Sequence, residues 1–377
     1  MARQFEFDSF VLGSQSVRST NWNGSIGNLS VLPPIRTRSL IKLPCHSYHE
    51  QLLKSQDIAM TLTAEQVEGY LKRISLPGRR EPSLSYLNDL IRAQLAAIPY
   101  ENLSIHYSET HAITLDVDSL FRKIVAKGHG GYCMELNNLF YALLSALGFD
   151  VHARAGRVWK VGSPPGSEGE ADALHWTGWS HMVLLVHLEQ NDYLVDVGFG
   201  ANGPVNAIQI HSKLPRDILM GVVPEEHQLD SIKAPHSPRH TLYILRHRRD
   251  KDSAWNPLFT FDPFTPFSGS DYEMMSFHCY CHPHSPFVNN VLCTTTGFDE
   301  QGIAISRMML QNNVLKERRG GQNTVVEKLD SEDARLGAIE RIWGIKFTDG
   351  EKKGVEKRGT AITGPDVEKG IPIAGWS

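Results

Sequence analysis

KGHGGYCMELNNLFYALLSALGFD, residues 127–150, turns a glycine-rich loop into a helix, and one of only five cysteines stands at the turn. Leu136, Leu139, Phe140, Leu143, Leu144 and Leu147 recur at the i, i+3, i+4, i+7 spacing of a helix packed along one face. Gly148 supplies the left-handed residue that ends such a helix, with Phe149 as the hydrophobic contact beyond it. Cys133 therefore belongs at or within the first turn, where unpaired backbone N–H groups and the helix dipole favour a thiolate over a thiol. The GHGG before it allows another molecule's carbonyl to approach where a Cβ would block it. Its spacing is wrong for a G-x-G-x-x-G dinucleotide fingerprint. On its own, the same stretch also reads as a small buried cysteine at a glycine-rich bend.

Upstream, TLTAEQVEGYLKRIS (61–75) opens with a capping box, Thr63 and Gln66, and carries Val67, Tyr70, Leu71 and Ile74 on one face. SLSYLNDLIRAQLAAIP (83–99) predicts a second helix ended by Pro99, and DVDSLFRKIVAK (116–127) a third. Four short helices in this span predict a helical bundle. After Gly148 the period changes: VHARAGRVW (151–159), SHMVLLVHL (180–188), DYLVDVGF (192–199), RHTLYILRHR (239–248) and PLFTFDPF (257–264) are strand-like runs parted by Gly, Pro and Asn. They predict a twisted antiparallel sheet or small barrel. Strands around 287–298 and 301–310 follow, then a helix begun by Ser331. Residues 1–60 have no sustained period and are expected to be a flexible leader, and the polar stretch from Gly350 a tail.

A chain of 377 residues can bury one large core or two to three modest ones. With 38 basic against 42 acidic residues the formal charge is -4, which argues against nucleic acid as a partner. No run approaches 18 apolar residues, so no membrane span is expected. Five cysteines without a C-x-x-C pair fit reduced thiols and a cytoplasmic location better than a disulfide framework. The N-x-S/T matches at Asn23, Asn28 and Asn102 then have no glycosylation role.

A nucleophilic thiol wants an imidazole to take its proton and a third group to orient that imidazole. His181 heads an apolar strand 48 residues after Cys133, and Asp196 follows 15 residues later among Leu194, Val195, Val197 and Phe199. A carboxylate in such company is costly unless it is paired. Two strands joined by the EQND turn (189–192) would bring His181 and Asp196 together, one ring nitrogen facing Asp196 and the other Cys133. The competitors are His152, His175 and His187 for the base and Asp192 for the acid.

At these motifs the chain resembles the arylamine N-acetyltransferase family of fungal type. GGYCMELN (130–137) is similar to its nucleophile motif, SHMVLLV (180–186) to its histidine strand and VDVGFG (195–200) to its aspartate strand. IPYENLSIH (98–106) resembles its approach segment and HPHSPFVNN (282–290) the start of its third domain; the likeness spans roughly 61–347. It implies an α+β fold: a helical bundle domain (61–148) carrying the nucleophile, an antiparallel β-barrel domain (149–280) carrying His and Asp, and an α/β lid with tail (281–377), with a papain-like Cys-His-Asp triad at Cys133, His181 and Asp196. It further implies ping-pong acyl transfer from acetyl-CoA or malonyl-CoA to an arylamine or arylhydrazine, as in xenobiotic metabolism, with no permanently bound cofactor and no metal. The expected contacts are Phe199, Tyr132 and Gly131 for the substrate and Thr177, Gly178 and Ser180 for coenzyme A, with N–H groups at Cys133 and Tyr132 as oxyanion donors. A monomer is expected, with a dimer as the alternative.

His129 stands where the family has Arg, which removes a fixed donor fork and a permanent charge from beside the loop. ANGP (201–204) is small and neutral where relatives carry longer side chains, and the leader and the 161–173 insertion fall outside the pattern. A malonyl donor would need a cation near its free carboxylate; Arg157 is the candidate, against ordinary solvated strand charge. FHCYCHPH (277–284) has only C-x-C spacing, so packing is expected over a metal site, with strand alternation aiming Cys279 and Cys281 the same way. Met274, Met275, Met308 and Met309 are expected as core filler, and HRRDKD (247–252) and EKKGVEKR (351–358) as solvated loops, the first a candidate for coenzyme A phosphates. The rival functions are a thiol hydrolase or transglutaminase-like enzyme, and a binding module with an inert Cys133.

Overall fold

Where the 3.6-residue period holds, helices form with the caps their sequences carry. The computed structural model describes residues 61–163, 173–210, 218–234, 237–356, 358–363 and 370; the expected leader, most of the 161–173 insertion and the end of the tail lie outside the described residues. Helix α1 (Ala64–Arg73) begins at Thr63, whose hydroxyl accepts from Gln66 N–H at 3.2 Å while the Gln66 amide oxygen accepts from Thr63 N–H at 2.9 Å. Helix α2 (Leu84–Ala97) is capped by Ser83 and stops before Pro99. Strand β1 (Tyr100–Glu101) and helix α3 (Leu103–His106) form the approach segment, in which Asn102 is buried and donates to the Phe287 and Asn290 carbonyls. The third expected helix is α4 (Val117–Leu120) running on into a π-helical turn, Phe121–Ala126, so it is wider than its sequence suggests. Helix α5 (Cys133–Ala146) ends as expected, with Gly148 at φ +88° and the Phe149 N–H donating to Leu144 O.

The change of period at Gly148 marks the start of an eight-stranded antiparallel sheet. Its strands are β2 (Asp150–Trp159), β3 (Trp176–Leu188), β4 (Asn191–Val195), β5 (Ile208–Ile210), β6 (Leu219–Met220), β7 (Glu226–Ala234), β8 (Ser237–Arg248) and β9 (Asn256–Phe261), in the order β5-β4-β3-β2-β9-β8-β7-β6. No hydrogen bonds join the two edges among the described residues, so the expected barrel is met as a sheet without a hydrogen-bonded seam. β3 and β4 form a hairpin on the two-residue turn Glu189–Gln190, both at positive φ, which matches the twist of the strands. Asp196 lies one residue past β4 rather than within it.

Helix α6 (Gly269–Cys281) and the short α7 (Pro286–Asn289) precede β10 (Leu292–Phe298), β11 (Ala304–Gln311), β12 (Val314–Arg319) and β13 (Gln322–Lys328), followed by α8 (Glu332–Trp343), capped by Ser331, and α9 (Asp349–Lys353). The second sheet runs β1-β10-β11-β12-β13, so the approach segment is its edge strand. FHCYC is therefore helical, not a strand: Ser268 and Asp271 form a capping box, and a helix puts Cys279 inside and Cys281 outside. Met275 and Met309 are buried as expected, but Met274 is 70% exposed on the outer face of α6. Among the described residues there is no cluster of three or more metal-ligating side chains, and no helix long and apolar enough to cross a membrane.

α5 is the central element: Leu136, Leu139, Phe140, Leu143 and Leu144 are all fully or almost fully buried against α1, α4, β2 and β3. Leu139→Ala should lower the unfolding free energy by about 3 kcal/mol, read from denaturant titration.

Candidate active site

Three chain segments meet at the first residue of α5. Cys133 is 2% exposed there, and its thiol points at Ser180 O on β3 at 3.8 Å. His181, the next residue on β3, is also buried and interacts with the Cys133 sulfur. Its Nε2 lies 2.7 Å from Asp196 Oδ2, which leaves Nδ1 as the ring nitrogen for the thiol. The turn Glu189–Gln190 thus does what the sequence requires of it, setting the acid beside the base. The competitors lie elsewhere: His187 pairs with Asp192 at 2.9 Å on the exposed side of the hairpin, His152 with Asp150 at 3.1 Å, and His175 packs on Trp159.

The sequence did not single out the group that holds these segments in register. Asn137, one turn after Cys133, donates to Asp196 Oδ1 at 2.9 Å and to Met182 O at 2.6 Å, and accepts from Val197 N–H at 3.0 Å. Gly198 N–H supplies a further donor to Asp196 Oδ1 at 2.8 Å. A Cβ on Gly198 would lie 2.8 Å from Cys133 Cα, so only glycine lets the loop approach the helix start. The signal was a lone amide on the apolar face of a helix, four residues after the cysteine.

The charge balance differs from the sequence expectation. Burial pushes the Cys133 thiol up, and His181 pulls it back, so the helix start alone does not deliver a thiolate. Burial would lower His181, but the Asp196 carboxylate overcomes it and raises the imidazole to about 10. The proton acceptor, more than the donor, is what the site has tuned. Phe199 is buried and sets its ring edge-on to His181, with centroids 5.3 Å apart, and Phe259 packs against both rings, 5.0 Å from His181 and 5.3 Å from Phe199. A second thiol, Cys279 on α6, also points at Ser180 O, at 3.6 Å; burial pushes it up to about 12.

Below the thiol, the loop is held by a buried ionic group. Lys123 Nζ lies 2.8 Å from Glu135 Oε1 and 3.7 Å from Glu101 Oε1. Glu101 accepts from the N–H groups of Gly130 and Leu103, and Glu135 from that of Tyr132 at 3.1 Å. His129 takes no part: its Nε2 bonds Lys346 O at 3.2 Å and its ring packs on Phe347. The N–H of Tyr132 is thus engaged by Glu135 and its hydroxyl by Ser276, while Gly131 bonds Pro99 O and Glu101 N. Of the two expected oxyanion donors, Cys133 N–H is the one without a partner among the described residues.

Thr177, Gly178 and Ser180 form the run into His181. Thr177 Oγ1 bonds Val158 N–H, Gly178 O and Ser180 Oγ, each at 2.8 Å, and Gly178 is exposed with open space around it. Arg157 is not a solvated strand charge: it is half-buried, stacks 4.2 Å from the Trp179 ring centroid and donates to Thr177 O at 3.1 Å.

Known proteins and solved structures resemble this chain over most of its length. Residues 83–351 match the family model described as N-acetyltransferase. The N-malonyltransferase FDB2 of Fusarium pseudograminearum is 32% identical over 77% of this chain and 91% of its own length. The arylamine N-acetyltransferase of Mycolicibacterium smegmatis is 31% identical over 78% and 97%. The solved structure of the Mycobacterium marinum arylamine N-acetyltransferase in complex with CoA superposes with a TM-score of 0.62 at 27% identity, covering 78% of this chain and 96% of that one.

Two measurements check the electrostatics. Because burial holds the Cys133 thiol up and the His181 charge, sustained by Asp196, pulls it only part of the way back, alkylation of Cys133 should climb with pH through the alkaline range, and in Asp196→Asn the climb should move to still higher pH. Lys123→Met leaves two buried carboxylates unpaired and should cost about 3 kcal/mol at pH 7. Burial already raises Glu135, and a carboxyl whose folded pKa lies above its unfolded value is least destabilising when protonated, so the deficit should shrink on acidification towards about pH 5.

Proposed function

The chain belongs to the arylamine N-acetyltransferase family and is an N-acyltransferase, and from that premise we propose that Cys133 carries the acyl group between a coenzyme A thioester and an aromatic amine. The carrying observation is the buried line from the Cys133 thiol through His181 to Asp196, with 2.7 Å between imidazole and carboxylate.

His181 Nδ1 takes the thiol proton, and the Cys133 sulfur attacks the thioester carbonyl. Cys133 N–H stands where the tetrahedral oxyanion forms. Collapse breaks the carbon–sulfur bond to coenzyme A, whose thiolate leaves with the proton from His181, and an acyl-cysteine remains. The amine nitrogen then attacks the acyl carbon, His181 removes its proton, and the Cys133 sulfur is expelled as the amide forms. Asp196 holds the ring and stabilises the imidazolium in both halves. Phe199 supplies the apolar wall for an aromatic acceptor, and Thr177, Gly178 and Ser180 line the donor's approach. The division at residues 148 and 280 into helical, sheet and lid parts belongs to the same proposal.

The donor is acetyl-CoA or malonyl-CoA. Arg157 is the cation that a malonyl carboxylate would meet, held in place by Trp179 and Thr177. Arg157→Gln should lower kcat/KM for malonyl-CoA about tenfold and leave acetyl-CoA within about twofold, if the carboxylate is read there.

Incubation with either thioester in the absence of amine should give a single acyl adduct, mapped by peptide mass spectrometry to Cys133 and lost in Cys133→Ala. An adduct on another residue, or peptide amide cleavage without any thioester, would sink the proposal in favour of a thiol hydrolase or transglutaminase-like enzyme.

A further inference from the structure

Two arginines from the second sheet are buried behind the loop that follows Phe199. Arg307 on β11 is 1% exposed and Arg318 on β12 is 0% exposed. The carboxylate between them is Glu225, 3.1 Å from Arg318 Nη1 and 4.0 Å from Arg307 Nε, with His247 Nε2 at 3.4 Å from its other oxygen. Burial lowers His247, and takes His227 beside it down to about 3, so both imidazoles are neutral. The cluster therefore sets two cations against one anion, in a place where an uncompensated charge is costly.

Beyond Glu225, Arg318 Nε donates to the Asn323 side chain on β13 at 2.8 Å, and the two arginines share a set of acceptors in one loop. Arg307 donates to Gly200 O at 2.7 Å and Gly203 O at 2.6 Å. Arg318 donates to Ala201 O at 3.1 Å and to the Asn202 side-chain oxygen at 2.5 Å. His227 Nε2 donates to Asn202 O at 2.8 Å. Three of the four carbonyls from Gly200 to Gly203 thus bond the buried cations, and the fourth, Asn202 O, bonds the neutral His227. That orientation fixes the loop around Phe199: a Cβ on Gly203 would lie 3.1 Å from Phe199 Cβ, and Gly200, at φ +87°, packs on the Tyr100 ring. The sequence showed only four small neutral residues here; what shapes them comes from about a hundred residues further along the chain.

We propose that Arg307 and Arg318 are positioning residues for the amine acceptor: by holding Gly200–Gly203 they keep the Phe199 ring edge-on to His181, and so define the wall against which a flat aromatic amine must lie. This rests on the acyl-cysteine reading above. It places the arginines' effect in the second half of the reaction, because the loop they hold follows Phe199, the proposed acceptor wall, while the run proposed for the donor, Thr177–Ser180, lies on β3.

The test separates the two halves. Acyl-enzyme formation is followed by rapid-quench mass spectrometry with the thioester alone, and transfer by mixing the acyl-enzyme with a range of aniline concentrations. Arg307→Met should form the acyl-enzyme at close to the wild-type rate, while KM for aniline rises tenfold or more, since a displacement of about 1 Å at a positioning element can cost up to about a hundredfold. Arg307→Lys should recover part of the loss. Should Arg307→Met fail to fold, Asn202→Ala removes only the loop's side-chain link to Arg318 and should raise the same KM by a smaller factor. Folded variants with an unchanged KM for aniline, or with equal losses in both halves, would overturn the proposal. Failure of the wild type itself to form an acyl-enzyme would count against the proposed function and is read separately, in the first step.

Discussion

Asn137 carries its carboxamide from the first turns of α5 into the gap between β3 and the loop after β4, and bonds both. Its nitrogen reaches the acid and a carbonyl of the base's strand, and its oxygen reaches the backbone just past the acid. An amide is suited to this because it offers donors and an acceptor without a charge that would compete with the imidazole. Because the amide sits one turn from the thiol on the same rigid helix, the distance from sulfur to imidazole is set by helix geometry and not by a loop.

Around that joint, the protein sorts its charges by layer. Next to the sulfur there is one carboxylate and one imidazole, walled by Phe199 and Phe259, so that their attraction is felt at low dielectric. Beneath the loop, Lys123 lies between Glu101 and Glu135, whose other oxygens bind backbone N–H groups. The carboxylates thus do two jobs, and the lysine makes their burial tolerable. Here a flexible ammonium group reaches in from the π-helical turn, ten residues before the thiol.

What the sequence made legible is what repeats or what is chemically costly. The helices carry their own caps, at Thr63, Ser83 and Ser331, and the leucine stripe of α5 can only face a core. Asp196 stood out because a carboxylate among aliphatic residues demands a partner, and the EQND turn named the strand on which to look for it. What stayed hidden depended on long-range approach. FHCYC has no clear apolar period in either register, so its helix is decided by the cap at Ser268. The thiol's pKa followed burial and not position in the helix, and burial is a tertiary property. The pairing of Lys123 with Glu101 and Glu135 carried no sequence signal, since neither glutamate is near it along the chain.

Strand β1 is two residues long, yet it faces two ways: Tyr100 and Glu101 pair with Thr294 and Cys293 on β10, and Glu101 N–H donates to Gly131 O in the nucleophile's own loop at 2.8 Å. A nascent chain that has left the ribosome only as far as Phe261 already possesses thiol, imidazole and carboxylate. It lacks the sheet against which the approach segment is laid, and so has no frame for the loop. The strand that frames the Cys133 loop is thus completed only by the last third of the polypeptide, so thiol, imidazole and carboxylate are all translated before the sheet that orders their surroundings.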